Sequence, residues 1–154
     1  MSSALPVFRH TRNAIHKAVK DLSQEQAMAI PDGHDNNVAW NIGHVVAVQQ
    51  RVCYGRNGLD MNMSEEMQSM YLPGTSPADW DTEPDFGALV TLMMDTLAQH
   101  EADHAVGKFG GEFQASTTPS GLHIADAETA LMFNTYHEAQ HFGMILALNN
   151  FVAK

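Results

Sequence analysis

The segment HEAQH, from His137 to His141, places two imidazoles four residues apart with a glutamate beside the first. Zinc peptidases use this H-E-x-x-H spacing to hold a metal through both histidines, with the glutamate as general base. Their third ligand lies downstream of the motif. Residues 142–154 contain no His, Asp, Glu or Cys. We therefore expect a metal-binding histidine pair whose third ligand lies upstream, and not a peptidase.

Both histidines fall on the apolar side of a predicted helix. At about 100° per residue, the following residues lie within about 60° of His137 on the wheel: Ala130, Phe133, Asn134, His141, Met144, Leu148 and Phe151. Two imidazoles on a buried face are costly unless their nitrogens are satisfied, and a bound cation satisfies both. A pair of hydrogen-bonded core histidines remains the alternative.

His44 is the strongest upstream candidate for the third ligand. It shares a helical face with Trp40, Asn41 and Val48, so its side chain is expected to point inward. The segment QHEADH repeats the four-residue spacing with His100 and His104, but Glu101 and Asp103 surround them. For that reason we assign His100 and His104 to a solvated face.

Asparagines precede two of the candidate ligands by three residues, Asn41 before His44 and Asn134 before His137. An amide oxygen at this position can accept the ring N–H that a metal-bound imidazole donates away from the metal. Helix packing by the two asparagines is an equally open interpretation. Gly43 and Gly143 are expected to allow close helix packing.

Two charged residues are weaker candidates for a catalytic role. Glu138 lies at the edge of the inward face and could act as a base, although a solvated side chain is the preferred interpretation. Arg51 follows His44 by two turns on nearly the same face. It could bind a carboxylate of a peptide-like thiol, or extend to the rim of the fold.

Three neutral imidazoles leave coordination positions open, as in catalytic and unlike structural zinc sites. A metal so held lowers the pKa of water or of a thiol, which supports hydrolysis or thiol transfer. Zinc, nickel, copper and iron all accept imidazole, and we expect zinc or nickel. A metal-binding or stress-associated protein without catalysis is the alternative.

Four helices are predicted to position these side chains. Helix one (about 3–22) carries a stripe with Phe8, Ile15 and Val19. Helix two (about 37–54) begins at Asn36 or Asn37 as cap, helix three begins near Phe86 and fades at Gly107, and helix four runs from cap Asp126 to about Asn150. A Gly, Pro and Ser-rich crossover joins helices two and three. The sequence thus predicts an all-α four-helix bundle in a single domain, residues 1–154.

Composition narrows the function classes. Eight Lys and Arg against eighteen Asp and Glu give a formal net charge of −10, which disfavours nucleic-acid and membrane-surface partners. No window has the roughly 18 uninterrupted apolar residues of a membrane span. The single cysteine, Cys53, forms no internal disulfide, and the start of the sequence lacks the apolar core of a secretion signal. We expect a cytoplasmic protein with a small-molecule substrate.

The segments NNVAWNIGHVVAVQQRVCYG and AETALMFNTYHEAQHFGMILAL, with the crossover SEEMQSMYLPGTSP, resemble the DinB-like (YfiT-like) family of metalloproteins. The resemblance implies a four-helix bundle, often dimeric, that holds a divalent metal through His44, His137 and His141. It also implies metal-dependent transfer of low-molecular-weight thiols, such as bacillithiol, mycothiol or glutathione, as in related branches. A homodimer agrees with the second apolar face of helix four, at Met132, Ala139, Phe142 and Leu146.

Overall fold

The computed structural model describes residues 2–152, which contain six α-helices and one small hairpin. The helices are α1 (Leu5–Val19), α2 (Gln24–Met28), α3 (Val38–Gln49), α4 (Glu65–Ser69), α5 (Phe86–Ala105) and α6 (Ala127–Val152). A π-helical turn (Gln50–Tyr54) continues α3, and 3-10 turns occupy Gly55–Asn57, Pro77–Asp79 and Lys108–Gly110. Strands β1 (Ser116–Thr117) and β2 (His123–Ile124) pair antiparallel, with Ser116 opposite Ile124.

The four long helices form the predicted bundle. α1 packs against α5 and α6, and α3 packs against the same two helices, so α1 and α3 lie diagonally across the core. The crossover from α3 to α5 contains α4 and packs along α3, where Tyr71 lies against Gly43 and Thr75 accepts a hydrogen bond from Trp40 Nε1. This arrangement places α3 directly beside α6, and these two helices carry the candidate ligands.

Local capping explains where the helices begin. The side chain of Asn37 accepts a hydrogen bond from Trp40 N, and Asp126 accepts one from Thr129 N, so both predicted caps are present. The predicted span of helix one was too long, because α1 ends at Val19 and Ser23 starts α2. Ser23 and Gln26 form a capping box, a signal that the sequence S-Q-E-Q already contains.

Gly43 permits a close approach of the crossover to α3. A Cβ at this position would lie 2.3 Å from the Tyr71 ring, so only glycine allows Tyr71 to pack flat against α3. The prediction for Gly143 was wrong, since it is exposed and a Cβ there would meet nothing within 4 Å.

The buried face of α6 is rotated from the predicted one. Asn134, Glu138, His141, Ile145 and Leu148 are buried along it, whereas Met144 and Phe151 are more than half exposed. Met132, Ala139 and Leu146 are also exposed, and they share a face with Tyr136. The homodimer inferred from this apolar face stays a prediction. Within residues 2–152, no helix combines the length and the apolar character needed to cross a membrane.

Candidate metal centre

The three predicted ligands converge between α3 and α6. His44 Nε2 lies 3.2 Å from His137 Nε2, and His141 Nε2 lies 3.2 Å from the same atom. One ligand atom from each residue falls within a group no wider than 4.8 Å. This is the one group of at least three His, Cys, Asp or Glu side chains among residues 2–152 with the spacing to hold a metal ion.

Hydrogen bonds behind two of the rings fix their tautomers. His44 Nδ1 lies 2.6 Å from the carbonyl oxygen of Tyr71, which can only accept, so Nδ1 carries the proton. His141 Nδ1 lies 2.7 Å from Asn41 Oδ1. Asn41 Nδ2 donates to Asn37 O, which holds the amide with its oxygen towards His141. Each of the two rings therefore presents an unprotonated Nε2 to the centre.

A bound cation would satisfy the nitrogen lone pairs that face one another in this arrangement. Neutral His137 carries one ring proton. If that proton is on Nε2, it can be donated to the Nε2 lone pair of His44 or of His141, and the lone pair of the other ring stays without a partner. Two nitrogens, each about 2.0–2.1 Å from a tetrahedral zinc ion, lie about 3.3–3.4 Å apart. The two 3.2 Å separations are close to that value. The donor set and spacing therefore fit a divalent ion.

Burial keeps the three imidazoles neutral. Burial, with a smaller contribution from the neighbouring imidazoles, lowers the pKa of His137 to about 4 and that of His141 to about 3. Burial also lowers the pKa of His44, although its hydrogen bond to the Tyr71 carbonyl partly opposes this. Neutral imidazole is the form that binds metal, so the site is in its binding state at pH 7. The Trp40 ring stacks on His44, with centroids 4.6 Å apart, and further fixes its orientation.

A cavity of about 550 Å³ opens beside the histidines and is lined by His44 and His137. The end of α3, the crossover and the β1–β2 hairpin form its walls. Arg51, predicted near the site, is exposed and lines this cavity. Arg56 lines it as well, and sequence reasoning missed this residue. A volume of this size suits a small-molecule ligand.

The preferred prediction for Glu138, a solvated side chain, was wrong. Its side chain is fully buried and forms a two-pronged ion pair with Arg12, at 2.7 Å for both contacts. Arg12 also donates to Met93 O and Thr96 Oγ1 of α5. The Arg12–Glu138 pair therefore links α1, α5 and α6. Glu138 does not line the cavity.

Of the two open interpretations of Asn134, a hydrogen bond to a candidate ligand is not found among the described residues. Asn134 Nδ2 donates to Glu138 Oε1 at 2.8 Å, so it supports the ion pair and not a ligand. Asn134 Oδ1 and His137 Nδ1 are both buried without a hydrogen-bond partner among the described residues. Of the two predicted asparagines, only Asn41 forms a hydrogen bond with a candidate ligand among residues 2–152, and it does so with His141 across the helix interface.

His100 is buried, not solvated as predicted, while His104 is half-buried. The His100 ring stacks on Phe109 and makes edge-to-face contacts with Phe8 and Tyr54. The neighbouring acid is also occupied, since Asp103 accepts hydrogen bonds from Tyr54, Gln99 and Lys108. The turn at Lys108–Gly110 covers this end of α5, which the polar sequence pattern did not reveal. His100 thus belongs to a separate aromatic cluster.

We expect His100→Gln to reduce the decrease in the free energy of unfolding that occurs as the pH falls from 6.5 towards 4. Burial lowers the pKa of His100 from 6.5 to about 4, so between these pH values the unfolded chain holds a proton that the folded chain lacks. The stability linked to this group is complete above about pH 6.5 and is lost as the pH falls towards 4, by about 3 kcal/mol. Urea denaturation of both proteins at pH 7, 5.5 and 4.5 measures the difference, and parallel profiles would contradict it.

Comparison with known proteins agrees with the four-helix bundle. The family model described as the DinB superfamily matches residues 8–145. The solved structure of YfiT from Bacillus subtilis, described as a probable metal-dependent hydrolase with an unusual four-helix bundle topology, aligns with a TM-score of 0.59. The alignment has 14% sequence identity and covers 97% of this chain and 86% of that chain. No curated protein matches the sequence significantly.

Proposed function

The chain belongs to the DinB superfamily, and on that premise we propose that it is a metal-dependent enzyme that transfers a low-molecular-weight thiol to an electrophile. His44, His137 and His141 would hold the divalent ion. The observation that carries the proposal is the convergence of three Nε2 atoms, two of them with lone pairs fixed by Tyr71 O and Asn41. Zinc or nickel is the ion that we expect.

The protein contributes ligand geometry, protonation state and a shaped cavity. A divalent ion at the three nitrogens would act as a Lewis acid that lowers the pKa of a thiol or a water in its open position. The Tyr71 carbonyl and Asn41 hold two rings in the binding tautomer, which removes the cost of reorienting them. Phe133, whose ring stacks with that of His137, and Leu72 both line the cavity and give it apolar surface.

The cavity supports thiol transfer ahead of hydrolysis. Hydrolysis of an ester or amide usually needs a second group that protonates the leaving atom. None of the residues that line the cavity is Asp, Glu, Lys, Cys or Tyr, and Glu138 is held by Arg12. Attack by an activated thiol on an electrophile needs no such group. Hydrolysis is the second candidate, favoured by the description of the structural neighbour as a probable metal-dependent hydrolase.

Turnover with and without a chelator tests the proposal. Protein purified without an affinity tag is assayed with cysteine, glutathione and mercaptosuccinate, each with 1-chloro-2,4-dinitrobenzene, and with nitrophenyl esters for hydrolysis. We expect thiol consumption that a chelator abolishes and that added zinc or nickel restores. Rates equal to those of His141→Ala would reject an enzymatic role for the site. Stoichiometric metal without any turnover would support the alternative, a metal-binding or stress-associated protein.

Two further expectations accompany the proposal. A homodimer would cover the exposed Met132, Tyr136 and Leu146 of α6, and sedimentation analysis would measure it. A cytoplasmic location, expected from the composition, would supply the reduced thiols that the reaction requires.

A further inference from the structure

The cavity beside the histidines has an unusual charge for this chain. The chain carries a formal net charge of −10, yet Arg51 and Arg56 line the cavity and no Asp or Glu does. The other lining residues are His44 and His137, with neutral polar and apolar side chains. In an acidic protein, a cavity whose charged side chains are all cationic attracts anions locally while the rest of the surface repels them.

We propose that Arg51 and Arg56 bind carboxylate groups of the substrate, so that the site takes thiols bearing one or two carboxylates. This inference rests on the proposed function, because the histidines place the reacting end of the same molecule. Guanidinium groups suit the task, since their planar N–H donors match the two oxygens of a carboxylate.

The two arginines are not engaged by the protein itself. Among residues 2–152, no side-chain hydrogen bond or ion pair involves Arg51 or Arg56. By contrast, Arg9, Arg12, Lys20 and Lys108 each have a carboxylate partner. Arg51 is exposed and Arg56 is half-buried, so both guanidinium groups retain their donors for a ligand.

The backbone brings the two arginines to one cavity. In an uninterrupted α-helix, residues 51 and 56 would point about 140° apart. Here the π-helical turn and the following 3-10 turn change the helical phase, and Gly55 N bonds to Gln50 O five residues back. Arg56 O accepts a hydrogen bond from Gln114 N at 2.7 Å, which ties this end of the helix to the loop before β1. π-Helical turns often occur at functional sites.

The cavity also suits the rest of such a molecule. Val48 lies one helical turn after His44 and one before Arg51, and Val52, Leu72 and Ile124 add further apolar lining to the cavity. Thr117 and Thr118 of the hairpin segment add hydroxyl groups. A compound with a thiol at one end, a short carbon chain and carboxylates at the other matches a cavity lined by histidines, apolar side chains and arginines.

Binding of mercaptosuccinate, a thiol with two carboxylates, tests the inference. Calorimetric titration of the zinc-loaded protein is compared with that of Arg51→Gln and Arg56→Gln, and with the dimethyl ester of the same thiol. We expect each substitution to weaken mercaptosuccinate binding about tenfold, the loss of one charge-assisted contact, and to leave ester binding unchanged. Arg9→Gln is the matched control, because Arg9 lies outside the cavity and pairs with Glu101.

Zinc content, measured on the same samples, separates this inference from the proposed function. Zinc bound by all variants with equal mercaptosuccinate affinity in Arg51→Gln, Arg56→Gln and the unchanged protein would overturn the inference alone. Absence of zinc binding would overturn the proposed function. In that case titration of the metal-free protein with succinate decides the inference, since arginine-dependent binding supports it and arginine-independent or undetectable binding overturns it.

Discussion

His141→Ala should lose most of its bound metal under conditions in which the unchanged protein holds one divalent ion per chain. Each imidazole supplies one of three protein ligands, and even loss of a group behind a ligand costs about 10–100-fold in metal affinity. Loss of a ligand should therefore cost more than about 100-fold. His44→Ala should behave in the same way, since its Nε2 lies 3.2 Å from His137 Nε2. Elemental analysis of tag-free protein and competition with a chromogenic chelator measure both effects.

Two variants calibrate this result. His10→Ala removes an exposed histidine of α1 and should leave metal content unchanged. Asn41→Leu removes the acceptor that fixes the His141 tautomer and should give an intermediate loss of about 10–100-fold. If His44→Ala, His141→Ala and His10→Ala all retain the same metal content as the unchanged protein, then His44, His137 and His141 are hydrogen-bonded core residues and the metal centre is rejected.

Glu138→Gln should destabilise the fold by about 3–5 kcal/mol. Both members of the pair are fully buried, so the substitution leaves the Arg12 charge uncompensated in the core. This is a large share of the roughly 5–15 kcal/mol by which a domain is stable. Arg12→Met should have an effect of similar size, because it strands the Glu138 carboxylate. Urea denaturation at pH 7 of the metal-free proteins gives the difference in free energy of unfolding.

The exposed pair between Arg9 and Glu101 supplies the control. Arg9→Met should change stability by at most about 1 kcal/mol, because solvent screens this pair. The double variant Arg12→Met, Glu138→Met should recover part of the loss, since no unpaired charge remains. Unchanged stability of Glu138→Gln, combined with loss of turnover, would contradict the structural role and reinstate Glu138 as a catalytic base.

Much of the fold follows from local sequence signals. The apolar stripe with Phe8, Ile15 and Val19 and the caps Asn37 and Asp126 concern residues within a few positions of one another. Helix geometry is regular enough for such short-range patterns to fix the four long helices to within a few residues. The same regularity placed His44 and the His137–His141 pair on inward faces before any tertiary contact was known.

The errors arose where a distant segment determines the environment. Glu138 is buried because Arg12, 126 residues away, pairs with it across the α1–α6 interface. His100 is buried because Phe109, Tyr54 and Phe8 enclose a helix end that is polar in sequence. Arg56 reaches the cavity because a π-helical turn alters the phase after α3 and because Gln114 N, on a distant loop, donates a hydrogen bond to Arg56 O. No local sequence pattern predicts these contacts.

The sequence by itself determined the four long helices, the caps Asn37 and Asp126, and the choice of His44, His137 and His141, since helical periodicity and capping depend on neighbouring residues. Only the tertiary structure decided which polar side chains are paired. A buried charge is stable when its partner lies within hydrogen-bond reach, and that distance depends on the rotation and packing of whole helices. For this reason the histidines were found in the sequence, whereas the tautomers set by Tyr71 O and Asn41 and the arginines of the cavity required the fold.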